Sequence, residues 1–250
     1  MADHATLAKP TAREDTRVTV LILLHGTRFD ARQWNGYADR MPEADVKAVD
    51  LPGHGSARTH PWTSQAACAA IDVALADVDP GRPVVIAGHS LGGYVAAEYA
   101  RQHPDRLAAL VLIGATADPR RHGLLVRLYT GFARLIPLVG ADRLARSANG
   151  VLRLAGVAGQ DCPDGTGYAA TPQAWQWVIG RARPEDVAGL ACPVFLVAGQ
   201  FDQMRIDIDR YADACRDARI RIIPRASHLA PLTHRDEVVA VLREAVAATG

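Results

Sequence analysis

Hydrophobic and polar positions alternate in blocks along the chain. Val18-Thr-Val-Leu-Ile-Leu-Leu24 is a short apolar, β-branched run, the length of a strand rather than a helix. Comparable runs follow at Asp45–Val49, Pro83–Ala87, Leu107–Ile113, Pro193–Ala198 and Arg219–Ile223. Between them, apolar residues recur at helical spacing over about Ala31–Arg40, Ser64–Asp77, Leu91–Gln102 and Arg235–Ala247. Ser64 is a candidate N-cap, and His103-Pro104 closes the third helix. The strand runs are almost uninterrupted Val, Ile, Leu and Ala rather than alternating, as a parallel sheet covered on both faces requires. Repeated strand–helix alternation predicts one doubly wound α/β domain with right-handed crossovers.

One stretch breaks the rhythm. Residues 115–184 carry no strand signal, only helical segments at Gly123–Ile136, Ala141–Leu154 and Pro172–Ile179 with Gly- and Asp-rich joints. The predicted organisation is therefore a core of residues 1–114 and 185–250, with 115–184 inserted after the strand that follows the third helix. The insertion holds nine arginines against four aspartates, about +5, although the whole chain carries a formal charge of only +1.

Composition narrows the function classes. With 250 residues, 49% hydrophobic and 22% charged, the chain is an ordinary globular domain. Near-zero net charge removes the electrostatic motive for nucleic-acid binding. No apolar run spans a bilayer, and the polar N-terminus lacks a signal-like apolar segment, so the expected location is cytoplasmic. The four cysteines (Cys68, Cys162, Cys192, Cys215) show no metal spacing, and no metal or cofactor is expected.

The chemistry centres on Gly88-His-Ser-Leu-Gly-Gly93, directly after a strand and opening a helix. A tight strand–turn–helix with small flanking residues presents the Ser90 hydroxyl as a nucleophile. A serine needs a base, and the base needs a third group to orient it. His228, in the loop between the last strand and the last helix, is the candidate base; His234 is read as the helix start. Asp202, just past the fifth strand, is the candidate acid, with Asp118 as its main rival and Asp207 and Asp209, read as inside the next helix, as weaker ones. Backbone N–H groups of Leu91, after the nucleophile, and Thr27, after the first strand, are the candidate oxyanion donors. His25 is read as a structural residue that holds the Thr27 loop by hydrogen bonds.

Taken together, His25-Gly26, Asp50-Leu-Pro-Gly-His-Gly55, Gly88-His-Ser-Leu-Gly-Gly93, Pro104-Asp-Arg-Leu, Gly199-Gln-Phe-Asp202 and Ser227-His-Leu-Ala-Pro-Leu232 resemble the α/β-hydrolase superfamily over nearly the whole chain. The likeness is to small bacterial esterase-like members with a helical cap. It implies a Ser90–His228–Asp202 triad and a cap formed by the insertion. Two departures stand out: little sequence precedes Val18 for the family's opening hairpin, and the loop after His-Gly carries Thr27-Arg28. A serine at position 90 argues against the dehalogenase and epoxide-hydrolase branches, which use aspartate there. The expected activity is hydrolysis of an ester or thioester of a small to medium acyl substrate through an acyl-enzyme. Carbon–carbon bond hydrolysis, lyase or transacylase chemistry on the same residues, or a hydrolase-like ligand receptor, remain alternatives. Arg28 and the basic insertion suggest an anionic group on the substrate; Trp175 and Trp177 are read either as acyl-pocket lining or as packing. A nucleic-acid or membrane partner is not expected, and the chain is read as a monomer or homodimer.

Overall fold

A computed structural model describes residues 18–154 and 156–249. The apolar runs form β1 (Thr19–Leu24), β2 (Ala44–Val49), β3 (Val84–His89), β4 (Ala109–Ile113), β5 (Val194–Gly199) and β6 (Ala218–Ile223). They pair in parallel in the order β2-β1-β3-β4-β5-β6. The helices are α1 (Tyr37–Arg40), α2 (Ser64–Leu75), α3 (Leu91–Gln102), α4 (Gly123–Val139), α5 (Ala141–Leu154), α6 (Thr166–Arg181), α7 (Ile208–Ala214), α8 (Ala230–Thr233) and α9 (Arg235–Ala247). Whether a hairpin precedes β1 lies outside the described residues.

The continuous apolar runs have the predicted cause. Every residue of β1, β3, β4 and β5 is buried, whereas the edge strands β2 and β6 are mostly half-buried. Successive side chains point to opposite faces. Val20, Ile22, Leu24, Ile86, Leu110 and Leu196 join α2 and α3 on one face. Leu21, Leu23, Val85, Val111 and Phe195 join α9 and the Trp34–Tyr37–Met41 group on the other. Each fully buried Leu or Ile contributes about 1.5–3 kcal/mol, so both layers tie the sheet into a rigid platform.

Three local expectations are corrected. The helix expected over 31–40 is two pieces, a 3₁₀ turn at Ala31–Trp34 and the single turn α1, because Gly36 sits between them at φ +75°. The N-cap of α2 is Thr63 rather than Ser64; its hydroxyl accepts from Ala66 N–H at 3.0 Å. Helix α6 begins at Thr166 and runs through Pro172, with the Thr171 hydroxyl donating to the Gly167 carbonyl. Among the described residues no helix is long and apolar enough to cross a membrane.

The strand order reverses between β1 and β3: β2 lies on one side of β1, and β3 to β6 run off the other. Loops leaving the carboxyl ends of strands at such a switch point diverge and open a crevice where ligands bind. Thr27, Ser90, Asp202 and His228 all lie just past such strand ends, after β1, β3, β5 and β6.

Candidate active site

Ser90 is the junction of β3 and α3, and its backbone adopts φ 51°, ψ −115°, a conformation L residues rarely hold. Its N–H donates to the Ile113 carbonyl at 2.8 Å, which ties the turn to β4. The turn is tight enough that a Cβ on Gly88 would collide with the backbone of Gly92, and one on Gly92 would lie 2.5 Å from the Leu24 carbonyl oxygen. The glycines at both positions are therefore steric requirements.

The loop after β1 is held from inside. Buried His25 places Nδ1 2.9 Å from the Gly26 carbonyl, and its Nε2 accepts from Leu51 N–H at 3.0 Å. That pattern needs the neutral ring, and burial, reinforced by neighbouring His54, pushes its pKa down to about 3. The expected structural role of His25 is what the hydrogen bonds show. Gly26 N–H donates to Gln33 Oε1 at 3.0 Å, and Phe29 N–H to the Gly26 carbonyl at 3.1 Å. Among the described residues the N–H groups of Thr27 and Leu91 have no acceptor.

His228 and Asp202 meet. His228 Nδ1 lies 2.9 Å from Asp202 Oδ1, which also accepts from Met204 N–H at 2.8 Å. Burial alone would raise the Asp202 pKa, but the hydrogen bond and charge of His228 and the Met204 N–H outweigh it and hold the carboxyl below its ordinary range. With the Nδ1 hydrogen committed to Asp202, Nε2 of His228 carries the lone pair. His228 and Ser90 line the same cavity of about 120 Å³. The Ser90 hydroxyl makes no hydrogen bond among the described residues; in unliganded sites nucleophile–base contacts are commonly long and shorten when substrate binds.

Asp118 is engaged elsewhere. Its carboxylate is held bidentately by Arg120, at 2.9 Å on each oxygen, and by Arg210 at 3.3 Å, while its N–H donates to Asp207 Oδ2 at 2.8 Å. The Arg120 hydrogen bond is the main cause of its lowered pKa. Asp207 does not lie inside α7 as expected; it precedes the helix, buried, and His122 Nε2 sits 2.7 Å from its Oδ2. Asp209 lies in the first turn of that helix. His234 sits at the start of α9, as expected.

Helices α4 and α6 supply an apolar wall of the cavity through Leu125, Val126, Tyr129, Trp175, Val178 and Ile179. Trp175 also donates from Nε1 to Thr27 Oγ1 at 3.0 Å, binding α6 to the β1 loop. Trp177 packs on Trp62 instead, with ring centroids 6.2 Å apart. Arg28 lines the cavity as well.

Two contributors were not singled out from the sequence. Gly114, at φ +58° after β4, leaves the space occupied by the Asp202–His228 pair: a Cβ there would lie 2.7 Å from Asp202 Oδ2 and 2.9 Å from His228 Nδ1. A glycine closing an apolar strand run was the available signal. His89 is buried, with Nε2 2.8 Å from the His228 carbonyl oxygen, so β3 grips the His228 loop directly. Its place beside Ser90 was its only trace in the sequence.

Known proteins agree with this architecture. The family model described as "Alpha/beta hydrolase family" matches residues 21–241. A pimeloyl-[acyl-carrier protein] methyl ester esterase of Neisseria meningitidis is 31% identical, covering 92% of this chain and 94% of its own. Lipase LipV of Mycobacterium tuberculosis is 43% identical over a shorter stretch, 37% of this chain and 36% of that protein. The solved thermophilic esterase from Thermogutta terrifontis superposes with a TM-score of 0.75 at 22% identity, covering 93% of this chain and 90% of that one. A nucleophile-type strand–turn–helix at the switch point of a parallel sheet and a family match over most of the chain lead to one conclusion: the protein is a hydrolase belonging to the alpha/beta hydrolase family.

Proposed function

We propose that the protein hydrolyses an ester of a small to medium acyl group through a serine acyl-enzyme. The observation that carries this reading is that Ser90 and His228 line one cavity while the far nitrogen of His228 is held by Asp202 at 2.9 Å. Ser90 Oγ attacks the ester carbonyl carbon and gives its proton to His228 Nε2. Asp202 fixes the ring tautomer and stabilises the imidazolium. The developing oxyanion takes the free N–H groups of Thr27 and Leu91, the latter at the N-terminus of α3, where negative charge is favoured. His228 then protonates the leaving alkoxide, and water repeats the sequence on the acyl-enzyme, restoring the Ser90 hydroxyl and releasing the acid.

Helices α4 to α6 act as a cap over this cavity. At about 120 Å³ it is small beside the roughly 300–1,000 Å³ of common ligand pockets, which favours a short acyl group. Relatives named as methyl ester esterases support ester cleavage over the other reactions open to the fold. The test is rapid mixing with a p-nitrophenyl ester. A burst of p-nitrophenol stoichiometric with enzyme is expected, followed by slower turnover, and Ser90→Ala abolishes both. Steady turnover retained in Ser90→Ala refutes the reading.

A further inference from the structure

We propose that Arg28 is a carboxylate-binding residue of the Ser90 cavity, and that the preferred substrates are short esters carrying a free carboxylate. This rests on the ester-hydrolase reading and narrows its substrate class.

The cavity is otherwise apolar in charge. Of the residues lining it, Arg28 alone is formally charged at neutral pH, and no aspartate or glutamate joins it. Elsewhere in the fold, each buried aspartate that an arginine touches supplies that arginine with a counter-ion: Asp30 pairs with Arg32, Asp118 with Arg120 and Asp161 with Arg235. Arg28 has no such counter-ion among the described residues, and its Nε is buried with no acceptor. A buried guanidinium N–H left without an acceptor is costly unless a ligand supplies one.

The side chain is nevertheless well placed. Its Cζ stands 5.8 Å from the Phe132 ring centroid and 5.5 Å from that of Tyr168. Rings so placed attract the cation and steady it without supplying an acceptor, so its N–H donors are not spent on them and a carboxylate can take them bidentately. The backbone of Arg28 is itself left-handed, at φ 74°, a conformation that persists in a non-glycine residue only where its surroundings hold it. Arg28 immediately follows Thr27, the candidate oxyanion donor. One substrate lying in the cavity therefore meets Ser90 with its ester and Arg28 with its anionic end.

The test has two arms. In the first, kcat/KM is compared for mono-4-nitrophenyl glutarate against 4-nitrophenyl pentanoate, and for carboxymethyl butyrate against ethyl butyrate; the pairs place the carboxylate on the acyl and the alcohol side. A charge-assisted hydrogen bond predicts a preference of about 10- to 100-fold for the carboxylate-bearing member of at least one pair. Arg28→Gln collapses that ratio and Arg28→Lys keeps part of it. In the second arm, Ser90→Ala protein is titrated with glutarate and with glutaramide. Tighter binding of glutarate by tenfold or more, lost in Ser90→Ala/Arg28→Gln, supports the subsite independently of turnover. No preference in either pair with equal binding of the two ligands overturns it, as does a preference that survives Arg28→Gln. If no ester is turned over while glutarate binding still depends on Arg28, the ester-hydrolase reading fails and the carboxylate subsite stands.

Discussion

A single methyl group at Gly114 should disable the site while leaving the fold in place. The residue lies at φ +58°, and a Cβ there would stand 2.7 Å from Asp202 Oδ2, 2.9 Å from His228 Nδ1 and 3.0 Å from His228 Cε1. Comfortable nonbonded separations are about 3.5 Å or more, so the Asp202–His228 pair must retreat by roughly 0.7 Å. Displacing catalytic groups by about 1 Å costs on the order of 100-fold. Complete loss of the orienting acid in a serine protease costs about 10⁴-fold. Gly114→Ala is therefore expected to lower kcat by about 10²- to 10⁴-fold, roughly 2.7–5.4 kcal/mol of transition-state stabilisation. The folding penalty is far smaller. A left-handed alanine costs about 1–2 kcal/mol, or a Tm drop of about 2–8 °C in a chain of this size. Stopped-flow acylation and thermal unfolding measure the two separately. Because the methyl acts through Asp202 and His228, adding it to Asp202→Asn should cost little more. Wild-type kcat in a folded Gly114→Ala protein, or full additivity with Asp202→Asn, would refute the reasoning.

Two further outcomes follow from the charges. His25 and His89 are held neutral by burial with pKa values of about 3, against about 6.5 when unfolded, so the unfolded chain takes up protons first as pH falls. Folding stability should accordingly decline from pH 7 to pH 5, by about 2 kcal/mol for each ring at pH 5, and equal urea unfolding free energies at the two pH values would contradict this. Asp118→Asn, whose arginine partners are each about half exposed, should lower stability by about 1–3 kcal/mol and keep kcat within severalfold, whereas Asp202→Asn loses kcat; a kcat loss in Asp118→Asn equal to that of Asp202→Asn would make Asp118 the acid.

The central strands could be read from the sequence because burial on both faces leaves a continuous apolar run, α3 and α9 because their apolar positions recur at helical spacing, and Ser90 and His228 stood out as candidates because each lies just past such a strand run. What escaped has a common cause: it depends on where the chain returns. Ser64 looked like the cap of α2 because propensity does not separate it from Thr63; only the bond to Ala66 N–H does. The region 31–40 has helical composition, yet Gly36 in the left-handed region divides it. Asp118 and Asp202 are both aspartates shortly after a strand, and local sequence favours Asp202 while leaving Asp118 as a rival. Arg120 and Arg210 draw one away and His228 holds the other, and those partners are separated from the acids by as many as 92 positions. Gly114 belongs to the same class, since its role exists only once β5 and β6 bring Asp202 and His228 above it.

The backbone strain of this fold is not scattered. Among the described residues, the non-glycine positions with positive φ are Arg28, Ser90 and Arg225. They fall in the loops after β1, β3 and β6, the loops that carry Thr27, Ser90 and His228. Each such residue costs about 1–3 kcal/mol, a sizeable share of the net stability of a domain. They persist because the loops leave a sheet whose central strands are buried along their full length. Inside those loops, buried rings serve as pins: His25 ties the first loop to Leu51, and His89 ties the third to the second through the His228 carbonyl. Strain at the strand ends and neutral buried histidines beneath them are thus two parts of one arrangement, in which the sheet supplies the stability and its carboxyl edge uses it to hold Thr27, Ser90 and His228 where an unstrained turn would not.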